Sequence, residues 1–207
     1  GVKTIKPFKI NKNINKALKQ ISHLNQKSIK KNLFPLTLGG EHSITAGCIE
    51  PFVKSYKNVT ILQFDAHADL RNIYNNQKYS HASAMRRCLD FKNVDLISIG
   101  IRNISKEEIP FLKKNTGRIK IFWAKDQKKW NLKYFKRLIK NKNVYLTFDV
   151  DGLDSSIMPA TGTPEPGGLF WYETLSLIKT TFKNANVIGA DINELAPIKG
   201  FNSYNFL

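Results

Sequence analysis

Two rhythms of apolar positions alternate along this chain. From Ile10 onward, apolar residues recur at Ile14, Ala17, Leu18, Ile21 and Leu24, the spacing of one helical face. Short apolar runs then interrupt that spacing at Phe34 to Leu38, Val59 to Phe64, Val94 to Ile99, Arg118 to Trp123, residues 144–148, and Val187 to Ile192. Runs of this length predict strands, and Val59 to Phe64, rich in β-branched residues, reads as a buried one. Between them the pattern predicts helices from Ser43 towards Ser55, from Ser80 to Leu89, from Lys106 to Lys114, from Leu132 to Lys140, and from Trp171 to Phe182. Pro110 interrupts the third of these. Gly39-Gly40 closes the first strand and Gly100 the third, while residues 152–168 form a long Gly/Pro-rich loop. Regular alternation of strand and helix predicts an α/β fold: a mostly parallel sheet with helices on both faces. Residues 1–9 are weakly patterned. With no internal repeat, low-complexity linker or domain boundary, a single domain over 1–207 is expected.

Polar residues cluster where two of these strands end. Val59 to Phe64 leads into Asp65-Ala66-His67-Ala68-Asp69. If extended geometry persisted, Asp65, His67 and Asp69 would project to one side, because side chains alternate with a period of two. Residues 144–148 lead in the same way into Asp149-Val150-Asp151. Open α/β sheets bind ligands at this carboxyl edge. An Asp after a strand is often only a cap or turn residue, but two spaced sets, one with a histidine, carry more buried charge than caps require. Uncompensated buried carboxylates are costly, and a metal supplies the counter-charge. Carboxylates with imidazole suit manganese, iron or zinc. Four carboxylates exceed the need of one ion and point to two ions, about 3.5–4 Å apart, sharing bridging carboxylates.

Composition narrows the class further. Hydrophobic residues make up 42% of 207 positions, enough for a packed core rather than a disordered chain. No apolar run approaches the ~20 residues that cross a bilayer, and Gly1 to Ile10 lacks a signal-peptide core. Cys48 and Cys88 form no CxxC pair, so no disulfide framework is indicated and the cytoplasm is expected. Lys and Arg number 33 against 16 acids, a net charge of +17. The excess is scattered through stretches such as Lys140-Asn141-Lys142-Asn143 and accompanies no nucleic-acid-binding motif, so no nucleic acid is expected as partner.

Five motifs coincide with one family. Gly39-Gly40-Glu41-His42-Ser43, Asp65-Ala66-His67-Ala68-Asp69, Ser80-His81-Ala82-Ser83, Asp149-Val150-Asp151-Gly152-Leu153-Asp154 and Gly162-Thr163-Pro164 stand in the order and spacing of the ureohydrolases. The chain thus resembles the arginase and agmatinase family between about residue 35 and residue 197. The resemblance implies an arginase-like three-layer α/β/α fold and two Mn²⁺ per chain. It assigns His42, Asp65, Asp69 and Asp149 to one ion, and Asp65, His67, Asp149 and Asp151 to the other, with Asp65 and Asp149 bridging. It also implies a metal-bridging hydroxide that hydrolyses a guanidinium group, Glu194 as the guanidinium-binding acid, His81 as proton shuttle and Thr163 as a lining residue of the pocket. Asp154 and Asp191 are expected to be structural.

Within the family, the Gly162 to Gly168 loop and Ser80 to Arg87 look most like agmatinases, which convert agmatine to putrescine and urea. Glu165 is expected to help bind the amine-ended substrate. The alternatives are another guanidino-acid or arginine ureohydrolase, or a truncated inactive homologue. The chain is short for the family and is expected to lack its first strand and last helix, so that a partner subunit of a homo-oligomer would cover the exposed apolar surface.

Overall fold

A computed structural model describes residues 1–200. Six strands form one sheet, in the order β1 (Leu36–Leu38), β6 (Asn186–Asn193), β5 (Asn143–Asp149), β2 (Val59–Phe64), β3 (Val94–Ile101), β4 (Ile119–Trp123). Every pairing is parallel. The helices are α1 (Ile14–Lys30), α2 (Thr45–Ser55), α3 (Ala84–Cys88), α4 (Ile109–Lys114), α5 (Leu132–Ile139) and α6 (Trp171–Asn184).

Strand alternation sends side chains to two cores. In β2, Val59 and Ile61 pack with Ile49 and Phe52 of α2 and Met85 of α3. Leu62 and Phe64 enter the opposite core with Phe135 and Ile139 of α5, against which Leu177 and Ile178 of α6 pack. Helices therefore cover both faces, which gives the expected three layers. Each fully buried Leu, Ile or Phe contributes roughly 1.5–3 kcal/mol, so these two layers hold the sheet. No helix among the described residues is long and apolar enough to cross a membrane.

Differences from the sequence expectation fall at element ends. The helix expected from Ser80 is a 3-10 turn, His81–Ser83, followed by the short α3. The helix expected from Lys106 starts at Ile109 with Pro110 in its first turn. There the missing N–H costs nothing, so the proline begins the helix rather than interrupting it. β3 continues past Gly100 to Ile101. A register shift between Ile99 and Ile101 absorbs Gly100, whose φ of +90° suits glycine. The shift moves Ile101 into the α2/α3 core while Ile99 stays in the α5/α6 core.

The strand order also locates the site. The chain runs outward from β2 through β3 to β4, and returns on the other side of β2 with β5 and β6. β2 and β5 therefore flank the switch point, where open α/β sheets form a crevice at their carboxyl ends. The segments after β1, β2, β5 and β6 all converge there.

Candidate metal centre

His42, Asp65, Asp69, His67 and Asp151 form two overlapping triads. His42, Asp65 and Asp69 bring one ligand atom each within mutual reach, as do Asp65, His67 and Asp151, so Asp65 belongs to both. His42 Nδ1 lies 3.1 Å from Asp65 Oδ2, 3.0 Å from Asp69 Oδ2 and 3.4 Å from Asp149 Oδ2. His67 Nδ1 lies 3.0 Å from Asp151 Oδ2.

The convergence does not come from strand alternation. β2 ends at Phe64, and the backbone turns through Asp65 to Asp69, with Asp69 in the left-handed region at φ +54°. Asp65 Oδ1 accepts the His67 N–H at 2.6 Å, and Ala66 N donates to Asp151 Oδ1 at 3.0 Å. A turn held by one carboxylate of its own and one from the Asp151 loop replaces extended geometry, and so His67 faces Asp151 while Asp69 faces His42. Gly152 permits the close approach: a Cβ there would stand 2.8 Å from Asp65 N.

Polar residues inside the apolar strands set the candidate ligands. Gln63, fully buried in β2, donates through Nε2 to Asp65 Oδ2 at 2.7 Å, while Ser98 Oγ donates to Gln63 Oε1 at 2.6 Å. Thr147 of β5 donates to Asp191 Oδ1 of β6 at 2.6 Å and lies 2.8 Å from His42 Nε2. The hydroxyl proton is committed to a carboxylate, which only accepts. His42 Nε2–H must therefore donate to Thr147, and Nδ1 carries the free lone pair. That buried Nδ1 makes no hydrogen bond and faces three carboxylate oxygens. Lone pair against carboxylate is repulsive until a cation lies between them. Without metal, burial alone would lower the His42 pKa, but Asp65 and Asp69 override it and push it well up, so that a proton takes that place. The same residues fit a divalent ion that displaces it.

The charge balance agrees. Burial and then the Asp65 charge push the Asp69 carboxyl above its usual range. Burial, Asp65 and Asp151 do the same to Asp149. Burial alone would lower His67, but Asp151 and Asp65 override it and push its pKa up to about 11. Two imidazoles cannot neutralise four neighbouring carboxylates, and the protein compensates by retaining protons that metal would displace.

Above the carboxylates opens a cavity of about 460 Å³ lined by His67, Asp69, His81, Asp149, Asp151, Thr163 and Glu194, with Arg71 and Tyr74 also on its wall. Glu194 follows β6 at φ +66°, its N–H donates to Gly40 O at 2.7 Å, and its Oε1 accepts the His42 N–H at 2.6 Å. Burial raises the Glu194 carboxyl above its usual value, as suits a group awaiting a cation. Thr163 Oγ1 donates to Asp151 Oδ2 at 3.2 Å. His81 stands half-exposed, its Nδ1 3.1 Å from Glu41 Oε1. Glu165 is not part of the cavity wall: its Oε1 accepts from Asn103 Nδ2 at 2.7 Å and lies 3.6 Å from His67 Nε2. Asp154 caps the loop through Ser156, Gly167 and Gly168, and Asp191 is buried among Thr45, Tyr145, Thr147 and Asn193.

Sequence reasoning assigned no role to Gln63, Thr147, Glu41 or Arg102. The first two carried a visible signal, a polar residue within an otherwise apolar strand. Glu41 sits inside the Gly39 to Ser43 motif itself. Arg102 follows the Gly100 bulge, and its guanidinium donates to the carbonyls of Gly100, Asp151, Leu153 and Glu165 at 3.0, 2.7, 3.1 and 2.9 Å. Nothing local marks it.

A parallel three-layer α/β protein with overlapping carboxylate–imidazole triads at its switch point belongs to the class built around hard divalent cations. The Arginase family model matches residues 2–204, and the chain belongs to that family. It is 37% identical over 176 residues to the N(1)-aminopropylagmatine ureohydrolase of Synechocystis sp., covering 83% of this chain and 56% of that protein. It is 34% identical to the agmatinase of Bacillus anthracis over 90% of this chain and 63% of that one. The crystal structure of the agmatine ureohydrolase of Thermoplasma volcanium superposes with a TM-score of 0.82 at 30% identity, covering 96% of this chain and 67% of that one. The chain thus spans less than two thirds of the length of these two curated relatives.

Proposed function

We propose that this chain hydrolyses the guanidinium group of agmatine, yielding putrescine and urea. The observation that carries the reading is the place of Glu194: one carboxylate lines the same cavity as Asp69, Asp149 and Asp151 and is tied to the backbone N–H of His42. His42, Asp65, Asp69 and Asp149 would hold one divalent ion, and Asp65, His67, Asp149 and Asp151 a second. The mixed carboxylate and imidazole set suits Mn²⁺. When bound, such a pair of ions would supply a hydroxide nucleophile at neutral pH.

The residues of the chain do the rest. Glu194 receives the planar guanidinium through paired charge-assisted hydrogen bonds and fixes its carbon over the carboxylate floor. Its partial burial strengthens that pairing. Thr163, held by Asp151, lines the same cavity. His81, half-exposed on the cavity wall, exchanges a proton between solvent and the departing amine. The names of two relatives, an agmatinase and an agmatine ureohydrolase, support agmatine as substrate. A third relative's name supports the longer N(1)-aminopropylagmatine as the competing reading. We assign the scattered +17 charge no nucleic-acid partner, and expect a cytoplasmic homo-oligomer.

The test is urea release from agmatine, N(1)-aminopropylagmatine, arginine and guanidinobutyrate in parallel, with Mn²⁺ present. Preference for agmatine supports the proposal. Preference for any of the other three overturns the substrate, and a metal-loaded chain inert on all four identifies an inactive homologue.

A further inference from the structure

We propose that Glu41 is a positioning residue for His81, holding its ring in the Nδ1–H tautomer so that Nε2 is the nitrogen that exchanges protons at the cavity. The proposal rests on the shuttle role given to His81 above.

One oxygen does two jobs. Glu41 Oε1 accepts the His81 backbone N–H at 2.8 Å and lies 3.1 Å from His81 Nδ1. Its other oxygen, Oε2, accepts from Ser43 Oγ at 3.0 Å. A carboxylate has no proton to give, so in the neutral ring the hydrogen resides on Nδ1 and Nε2 keeps the lone pair. The capture of backbone and ring by the same oxygen also restricts the side-chain rotamer. Tyr74 closes the other side, its ring edge-on with centroids 5.5 Å apart.

Exposure decides what the contact is for. The side chains of His81 and Glu41 are 47% and 46% exposed, and an ion pair in that setting adds little to stability. Orientation is what remains. The loop that carries Glu41 is itself anchored to the site, since Gly40 O accepts the Glu194 N–H at 2.7 Å and His42 N donates to Glu194 Oε1 at 2.6 Å. Four consecutive residues, Gly40 to Ser43, thereby tie a candidate ligand, the guanidinium acid and the shuttle into one frame.

The chain has four histidines, so ¹⁵N-histidine NMR of the zinc-loaded protein resolves each ring. In the parent chain the neutral His81 ring should carry its proton on Nδ1. In Glu41→Ala it should become a mixture of both tautomers. Turnover of agmatine by the manganese-loaded Glu41→Ala variant should fall about tenfold, the scale for losing a partner that orients a functional imidazole, with KM little changed. Glu41→Gln, whose amide oxygen still accepts, should recover most of it. In a His81→Ala background, Glu41→Ala should cost nothing more, because the two act in series. An unchanged tautomer in Glu41→Ala, an equal kinetic loss in both backgrounds, or a fully active His81→Ala overturns the proposal. A parent chain inert towards guanidino substrates refutes the proposed function instead, and the NMR comparison then still decides the role of Glu41.

Discussion

Thr147 Oγ1 donates its proton to Asp191 at 2.6 Å and so can only accept from His42 Nε2, 2.8 Å away. This chain of two buried hydrogen bonds leaves Nδ1 of the neutral His42 ring free to act as a ligand. Thr147→Val should strand the Nε2–H donor and release the ring. We expect metal affinity at the His42 site to fall about 10–100-fold, the usual effect of losing a partner that orients a ligand. Competition with a chelator for Mn²⁺ measures this. Unchanged affinity would show that the ring needs no such support.

Glu194→Gln keeps an oxygen for the His42 N–H but removes the charge that we propose receives the guanidinium. Metal content per chain should be unchanged. Turnover should fall by about 10²–10³, the scale of removing one electrostatic contact in a preorganised site. Elemental analysis alongside urea release separates the two effects, and loss of metal in the variant would assign Glu194 a structural role instead.

Arg102 ties the Gly100 bulge, the Asp151 loop and Glu165 together through backbone carbonyls. A charge-assisted bond is worth about 1.5–3 kcal/mol and such bonds share their energy when they leave one group, so Arg102→Ala should cost about 3 kcal/mol. Arg102→Lys should not restore it, because an ammonium cannot span the fork of acceptors. Urea unfolding curves give the number; a loss below about 1 kcal/mol would reduce the contact to a surface-like pair.

The metal-free protein should lose stability as pH rises. Against desolvation, Asp151 and Asp65 raise His67 from 6.5 to about 11 in the folded chain. A folded pKa above the unfolded one contributes stability that is full below pH 6.5 and declines as pH climbs towards 11. Asp69 and Asp149, raised by burial and by neighbouring carboxylates, act in the same direction. Chelator-treated protein should therefore melt at a lower temperature at pH 8.5 than at pH 6.5, and saturating Mn²⁺ should abolish or reverse the trend. A metal-free melting temperature that increases over that range would contradict the charge balance described for the cluster.

Much of this molecule could be read before its coordinates. Among the described residues, periodicity identified the six strands and the six α-helices, because burial leaves its spacing in the residues of each element. Asp65, His67, Asp69 and Asp151 of the two triads were also legible, since paired acids with a histidine at strand ends have few other uses, while His42 was marked only by the family resemblance. Their grouping came from the family resemblance and not from strand alternation: an extended Asp65 to Asp69 would have put three side chains on one side, whereas the turn at Asp69 shares Asp65 between His42 and His67–Asp151. Which strands adjoin was decided by the tertiary structure alone. With β2 against β5 and β5 against β6, His42 meets Thr147, 105 positions away, and Thr147 meets Asp191. Glu41 reaches His81 and Arg102 reaches the Asp151 loop for the same reason. A local pattern records how far a residue is buried within its own element; it holds no record of which partner the strand order brings to it.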